Sequence, residues 1–207
     1  INYFKIRKIF GFNVNLFLNR LYIYLLMKST EILNSLQVSL TINRLCSQLI
    51  ENHKDFSNST LIGLQPNGIF LANRIKNCLE KSINKKVLTG SLDITFFRDD
   101  FGRKEKPLIP SVTNIDFSIE NKKVILIDDV FFTGRTVRSG LDAIMTFGRP
   151  LSVEFLTLIE RRFVQSLPIR ADYIGKSVDT IKEEKVSVLW EEENGKDQIL
   201  LHSPIEI

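Results

Sequence analysis

Four consecutive apolar residues, Val124-Ile125-Leu126-Ile127, run without a break into two adjacent carboxylates, Asp128 and Asp129, and after Val130-Phe131-Phe132 comes a Thr133-Gly134-Arg135-Thr136 turn. An apolar run with no polar alternation suits a strand buried on both faces, as the central strands of a parallel α/β sheet are. The turn then opens a helical pattern that extends through Met145 and stops at Gly148-Arg149-Pro150. In an open α/β sheet, ligands bind beyond the carboxyl ends of the strands, which is where this turn has to lie. The backbone amides of Thr133 to Thr136 can converge on a phosphate at the helix N-terminus. The hydroxyls of Thr133 and Thr136 add donors, and Gly134 permits close approach. Carboxylates beside a phosphate would repel it unless they face another part of the ligand. A ribose diol meets that need, because Asp128 and Asp129 can each accept from a hydroxyl. One sugar phosphate accounts for both halves. The alternative is structural: Asp128 and Asp129 cap the helix that follows, and Thr133 satisfies a turn.

The rest of the chain alternates helix and strand signals. Val38, Ile42, Leu45, Cys46, Leu49 and Ile50 recur at helical spacing, with Asn34 and Ser35 as available caps. Thr60 to Leu64 reads as a short strand, Pro66 to Lys81 as a helix, and Val87 to Phe97 as a strand. Arg98 to Lys123 is polar and reads as a loop, long enough to suggest a functional lid. Further strands are expected at Val153 to Ile159, Asp172 to Ile174 and Lys185 to Glu191, with a final hairpin turning at Asn194-Gly195. The alternation predicts a mainly parallel sheet with helices on both faces. At 207 residues, one domain is expected, spanning 27–207.

Charge decides against reading the whole molecule as a nucleic-acid binder. The net charge is +4, but residues 1–26 contain Lys5, Arg7, Lys8 and Arg20 and no acid, which leaves 24 basic and 24 acidic residues in the remainder. The body is neutral, and only a local basic patch stays open. Cys46 and Cys78 lie in apolar patterns without metal-ligand spacing, the usage of free thiols in a reducing cytoplasm. His53 and His202 stand far apart in polar stretches; they are expected to be exposed, which excludes a histidine-assisted nucleophile. Residues 1–26 differ from the rest: their apolar run is broken by Asn and Arg, no window is long enough to span a membrane, and no cleavage site follows. They are expected to be a non-native or non-conserved extension preceding Met27, the other reading being an amphipathic membrane-surface helix.

The stretch Val124 to Thr136 matches the signature that binds phosphoribosyl pyrophosphate (PRPP) in the type I phosphoribosyltransferases. Together with Leu92-Asp-Ile-Thr-Phe-Phe-Arg98-Asp99-Asp100, Phe147-Gly-Arg-Pro150 and Leu167-Pro-Ile-Arg-Ala-Asp-Tyr-Ile-Gly-Lys176, the chain resembles the PyrR family from about Leu33 to Val188. The family comprises uracil phosphoribosyltransferases that also regulate pyrimidine operons. The resemblance implies the type I phosphoribosyltransferase fold, with a flexible lid loop and a small C-terminal hood. It implies transfer of ribose 5-phosphate from magnesium-bound PRPP to uracil, giving UMP and diphosphate, and uridine nucleotide-dependent binding to pyrimidine-operon mRNA. Homodimers or homotetramers are the family's habit.

Carried over residue by residue, the resemblance gives Asp128 and Asp129 the ribose hydroxyls and Thr133, Gly134, Arg135 and Thr136 the 5-phosphate, with Val130, Phe131 and Phe132 in the same PRPP-binding stretch. Arg98 would reach the pyrophosphate when the lid, Asp99 to Pro107, closes. Pro66, Asn67 and Gly68 form the pyrophosphate loop. The family commonly carries Arg where this chain has Asn67, and a neutral amide cannot pair bidentately with pyrophosphate, so weaker PRPP affinity or turnover is expected. Lys176 and the backbone at Val178 are implied for the base, with Arg161 near the pyrophosphate end. The family's RNA-binding positions fall here on Ser39, Leu40, Asn43, Phe163 and Val164. Arg44, Arg162, Arg170 and Lys176 remain as phosphate contacts, a thin footprint. Two rival readings accompany this one: an RNA-binding attenuator that keeps the nucleotide site as a sensor, and a phosphoribosyltransferase for another base.

Overall fold

The structure is a computed structural model and describes residues 27–100 and 110–204. The expectations for residues 1–26, and for most of the lid, lie outside the described residues.

Strand β4 (Lys123–Phe131) is the centre of the molecule. It is longer than the apolar run alone suggests, because Asp128 and Asp129 continue the strand and are themselves buried. It pairs in parallel with β2 (Ser59–Leu64) on one side and β5 (Ser152–Arg162) on the other. Strands β3 (Thr89–Leu92) and β6 (Tyr173–Asp179) complete a five-stranded parallel sheet in the order β3-β2-β4-β5-β6.

Helices cover both faces. Helix α1 (Ser35–His53) begins with a capping box, in which Asn34 Oδ1 accepts from the Gln37 amide and Gln37 Oε1 from the Asn34 amide. Its buried stripe, Val38, Ile42, Leu45, Cys46 and Leu49, packs with that of α2 (Gly68–Ile83), Leu71, Ala72, Ile75 and Leu79, against Ile125 and Ile127 of β4. Helix α3 (Arg135–Ile144) lies over the opposite face, where Val137, Ala143 and Ile144 meet Val124 and Leu126. This alternation along β4 slips by one residue across Asp128 and Asp129: Val130 joins the cluster of Ile127, and Phe131 that of Leu126.

The hood is a second, antiparallel sheet in the order β1-β8-β7, made of β1 (Met27–Asn34), β7 (Lys185–Leu189) and β8 (Gln198–Pro204). The strand β1 has no counterpart in the sequence expectations, which begin the regular structure at the α1 cap. Its register pairs residues from the two ends of the described chain, Met27 with Pro204 and Asn34 with Gln198.

Several expectations need correction. The strand expected over Val87 to Phe97 is only Thr89–Leu92, followed by a 3-10 turn at Thr95–Phe97, where Asp93 Oδ1 accepts from the Thr95 amide and hydroxyl and bends the chain. The Asn194-Gly195 turn is not a tight two-residue hairpin. A short helix, α4 (Glu191–Asn194), joins β7 to β8, and Gly195, at φ 73°, terminates it. The loop after Arg98 is partly docked, since Asn114 bridges to Ser91 and Ile119 is fully buried.

The histidines are not exposed. His53 is buried at the end of α1, with Nδ1 2.8 Å from Ser59 Oγ and Nε2 3.1 Å from both Glu154 Oε2 and the Tyr173 hydroxyl. His202 is buried in β8 between Ser29 and Ser187. Each satisfies buried polar partners that composition could not reveal. Cys46 and Cys78 are free thiols, as expected. Among the described residues no helix is long and apolar enough to cross a membrane.

Candidate functional site

The turn that leaves β4 stands at the carboxyl edge of the parallel sheet. Gly134, at φ 87° and ψ −6°, is the N-cap of α3, a left-handed conformation that a side chain would strain. The first amides of a helix have no acceptor within it, so those of α3 face outward as donors, with the helix dipole adding positive potential. Thr133 shapes the turn from both sides: its carbonyl accepts from the Ser166 amide at 3.0 Å, and its hydroxyl accepts from the Arg135 amide at 3.4 Å.

These elements enclose a cavity of about 410 Å³ lined by Arg98, Asp99, Asp100, Asp128 and the run from Val130 to Thr136. Arg98 donates to both carboxylate oxygens of Asp100, at 2.8 and 3.0 Å, and Arg135 pairs with Asp99. The two cations of the cavity thus hold two carboxylates from the start of the lid. Asp99 and Asp100 were legible only as part of a family pattern; their pairing with arginines inside the cavity is set by the fold.

Asp128 is buried within this wall, and burial followed by the charge of Asp129 pushes its carboxyl well above the ordinary carboxylate range. Asp129 faces a second cleft, of about 340 Å³, between the end of β4 and hood strand β7, whose other walls are Asn67 and Lys185 to Leu189. Burial raises the Asp129 carboxyl too. The Asn67 amide, donating from Nδ2 to Asp129 Oδ2 at 3.1 Å, and the Val130 amide pull it back down. A pair of adjacent, buried carboxylates set between donors at a helix N-terminus is an arrangement for a ligand carrying both an anion and a diol or a developing positive charge.

The loop before α2 completes the group. The Gln65-Pro66 peptide is cis. Gly68 lies flat against β4, where an added Cβ would stand 2.3 Å from the Ile127 carbonyl oxygen and 3.1 Å from Asp128 Cα. That contact sets Asn67 beside Asp129.

The remaining candidates lie elsewhere. Arg161 is buried and donates to the Thr180 hydroxyl and to the carbonyls of Ile181 and Glu184, with its guanidinium 4.0 Å above the Phe132 ring. It anchors the segment after β6 and borders the cavity only through Phe132. Lys176 is exposed and donates to the Ile32 carbonyl of the hood. Val178 packs against the core cluster beneath the hood. Arg44 donates to the carbonyls of Ile174 and Gly175, and Arg162 pairs with Asp179 at 2.5 Å. Arg170 is exposed on the loop before β6. Tyr173 is a core residue whose hydroxyl donates to Glu154. The β7 wall of the second cleft was missed, because nothing local in Lys185 to Leu189 distinguishes a wall from any other strand.

A model of the phosphoribosyl transferase domain family matches residues 28–193. The chain is 42% identical over 175 residues to the Bifunctional protein PyrR of Caldicellulosiruptor saccharolyticus, covering 84% of this chain and 95% of that protein. It is 38% identical over 176 residues to its namesake in Clostridioides difficile (85% and 99% covered) and 39% identical over 174 residues to that of Bacillus subtilis (83% and 95%). Among solved structures, a hypoxanthine phosphoribosyltransferase from Staphylococcus aureus superposes with a TM-score of 0.58 at 21% identity, covering 72% of this chain and 77% of that one. A hypoxanthine phosphoribosyl transferase from Trypanosoma cruzi superposes with a TM-score of 0.59 at 16% identity, covering 73% and 78%. At such identities the structural likeness establishes the fold alone.

Proposed function

The chain belongs to the PyrR family of phosphoribosyltransferases, and from that membership we propose that it transfers ribose 5-phosphate from PRPP to uracil, releasing UMP and diphosphate. The observation that carries the proposal is the cavity at the carboxyl edge of β4, where the outward amides of α3 and the buried Asp128 stand in one wall. The amides and hydroxyls of Thr133 to Thr136 receive the 5-phosphate. Asp128 and Asp129, at the end of the same strand, accept from the ribose hydroxyls on either side. Residues 27–207 act as one phosphoribosyltransferase domain, and residues 1–26 as an extension outside it.

In the reaction the bond between ribose C1 and a diphosphate oxygen breaks, and a uracil nitrogen bonds to C1 as it gives up its proton. Positive charge grows at the sugar in between, and fixed carboxylates close by lower the barrier. Arg98 is drawn from Asp100 to the departing diphosphate. Hard oxygen donors suit magnesium, which is usually held by one or two carboxylates together with substrate phosphates. In this reading the ion comes bound to PRPP, with no direct ligand from the protein, and would neutralise the leaving group. The base lies toward the hood, near Lys176, Val178 and Arg161, in reach of the cleft walled by β7.

RNA regulation is the second activity in this reading, with Arg44, Arg162 and Arg170 as phosphate contacts. The guanidiniums of Arg44 and Arg162 already serve backbone and carboxylate partners, which favours the enzyme over a dedicated attenuator. UMP formation from uracil, PRPP and magnesium, measured beside gel-shift binding to the operon leader RNA with and without UMP, separates the two. Catalysis without UMP-enhanced binding removes the regulator; the reverse removes the enzyme. Competition with hypoxanthine and guanine tests the base.

A further inference from the structure

Asparagine is among the best residues at a helix N-cap, where its side-chain oxygen accepts from an amide of the first turn. Asn34 behaves this way at the start of α1. Asn67, the N-cap of α2, does not: its backbone is already helical, at φ −90° and ψ −30°, and its side chain makes no cap hydrogen bond. The carboxamide instead reaches across to Asp129 Oδ2 at 3.1 Å. Gly68, pressed against the β4 backbone, leaves the helix start no room to draw back from that carboxylate. Asn67 and Asp129 then form one wall of the cleft beneath the hood.

We propose that Asn67 is a positioning residue for Asp129: its amide aims one carboxylate oxygen and leaves the other to the ribose at the end of β4. The proposal rests on the function proposed above and gives Asn67 a role separate from any contact with diphosphate. The surroundings favour such a donor, which acts beside the Val130 amide. Asp129 is buried; Arg98 stands on the Asp128 side with Asp99 and Asp100, and Lys185 lines the cleft from the hood. A neutral amide favours the ionised carboxylate without competing with the sugar for its charge, as a cation would.

The test compares wild type with Asn67→Ala and Asn67→Ser, the latter able to cap α2 but too short to reach Asp129. Both are expected to lose on the order of tenfold in kcat/KM for PRPP, the scale of one hydrogen bond to a charged group. The fall should appear in kcat, and the acid limb of the pH profile should move to higher pH. In an Asp129→Asn background the same changes should cost little more, because the interaction is already gone. Additive losses, an unmoved acid limb, or a change confined to KM would overturn the proposal. Titration of Asp129 by carbon NMR of aspartate-labelled protein decides it without turnover: the carboxyl should titrate higher in Asn67→Ala, and an identical titration would refute positioning. A wild type that neither binds PRPP nor makes UMP would instead reject the proposed reaction, with the NMR comparison still standing.

Discussion

Asp128 is the residue where function and stability are most opposed. Its carboxyl is buried against the charge of Asp129 and held well above the ordinary range, so its ionised form strains the fold at neutral pH. Asp128→Asn should therefore raise the melting temperature by ~2–4 °C, on the order of 1 kcal/mol, while reducing UMP formation by orders of magnitude. Scanning calorimetry beside the activity assay checks both, and a variant that is active or less stable contradicts the assignment. Asn67 carries a second expectation at this scale. An arginine there can pair bidentately with diphosphate but removes the amide that aims Asp129, so Asn67→Arg should lower the KM for PRPP by roughly tenfold while kcat falls as in Asn67→Ala. No gain in affinity would count against a diphosphate contact at this position.

At the scale of elements, the contact of α2 with β4 is the joint that brings Asn67 to Asp129. A methyl group at Gly68 would meet the Ile127 carbonyl oxygen, a backbone atom that cannot rotate away. Gly68→Ala should cost about 1–3 kcal/mol by overpacking. Activity should fall further than stability explains, which urea unfolding and steady-state kinetics on one preparation would reveal. Helices α1, α2 and α3 and strands β2, β4, β5 and β7 were legible from periodicity, because a 3.6-residue stripe or an unbroken apolar run reports the face an element buries. Their ends were not. Strand β4 runs past the two aspartates at which its apolar run stops, on to Phe131, and β5 runs on to Arg162, which pairs with Asp179 of β6. β1 went unseen because Lys28 to Glu31 are exposed and become a strand only by pairing with β8.

For the whole molecule, pH acts through groups of opposite sign. Burial lowers His53 and His202 below their ordinary value, so the folded chain refuses protons that the unfolded chain takes up near pH ~6.5. Stability rises with pH wherever the unfolded state binds more protons. The histidine contribution is therefore complete above about pH 6.5 and is lost as pH falls from there toward the folded-state values. Asp128 works the other way: its raised carboxyl binds a proton in the fold first, so stability is regained as pH falls through that value. Urea midpoints from pH 8 to 5.5 should accordingly decline more steeply with acid in Asp128→Asn than in wild type, and less steeply in His202→Asn. Parallel curves for all three would show that neither group couples to unfolding.

What the sequence determined by itself is the strand, the two carboxylates and the phosphate turn from Val124 to Thr136, together with the parallel α/β class. That chemistry is contiguous: an apolar run, an acid pair and a glycine at a helix start are each readable within one turn of chain. Tertiary structure alone decided which distant groups meet. Asn67 finds Asp129 across 62 positions, Arg135 finds Asp99 across 36, and His202 finds Ser29 across 173. Periodicity says that a residue is buried or exposed but not what it faces, and a polar side chain's role is set by the partner that packing brings within hydrogen-bond reach.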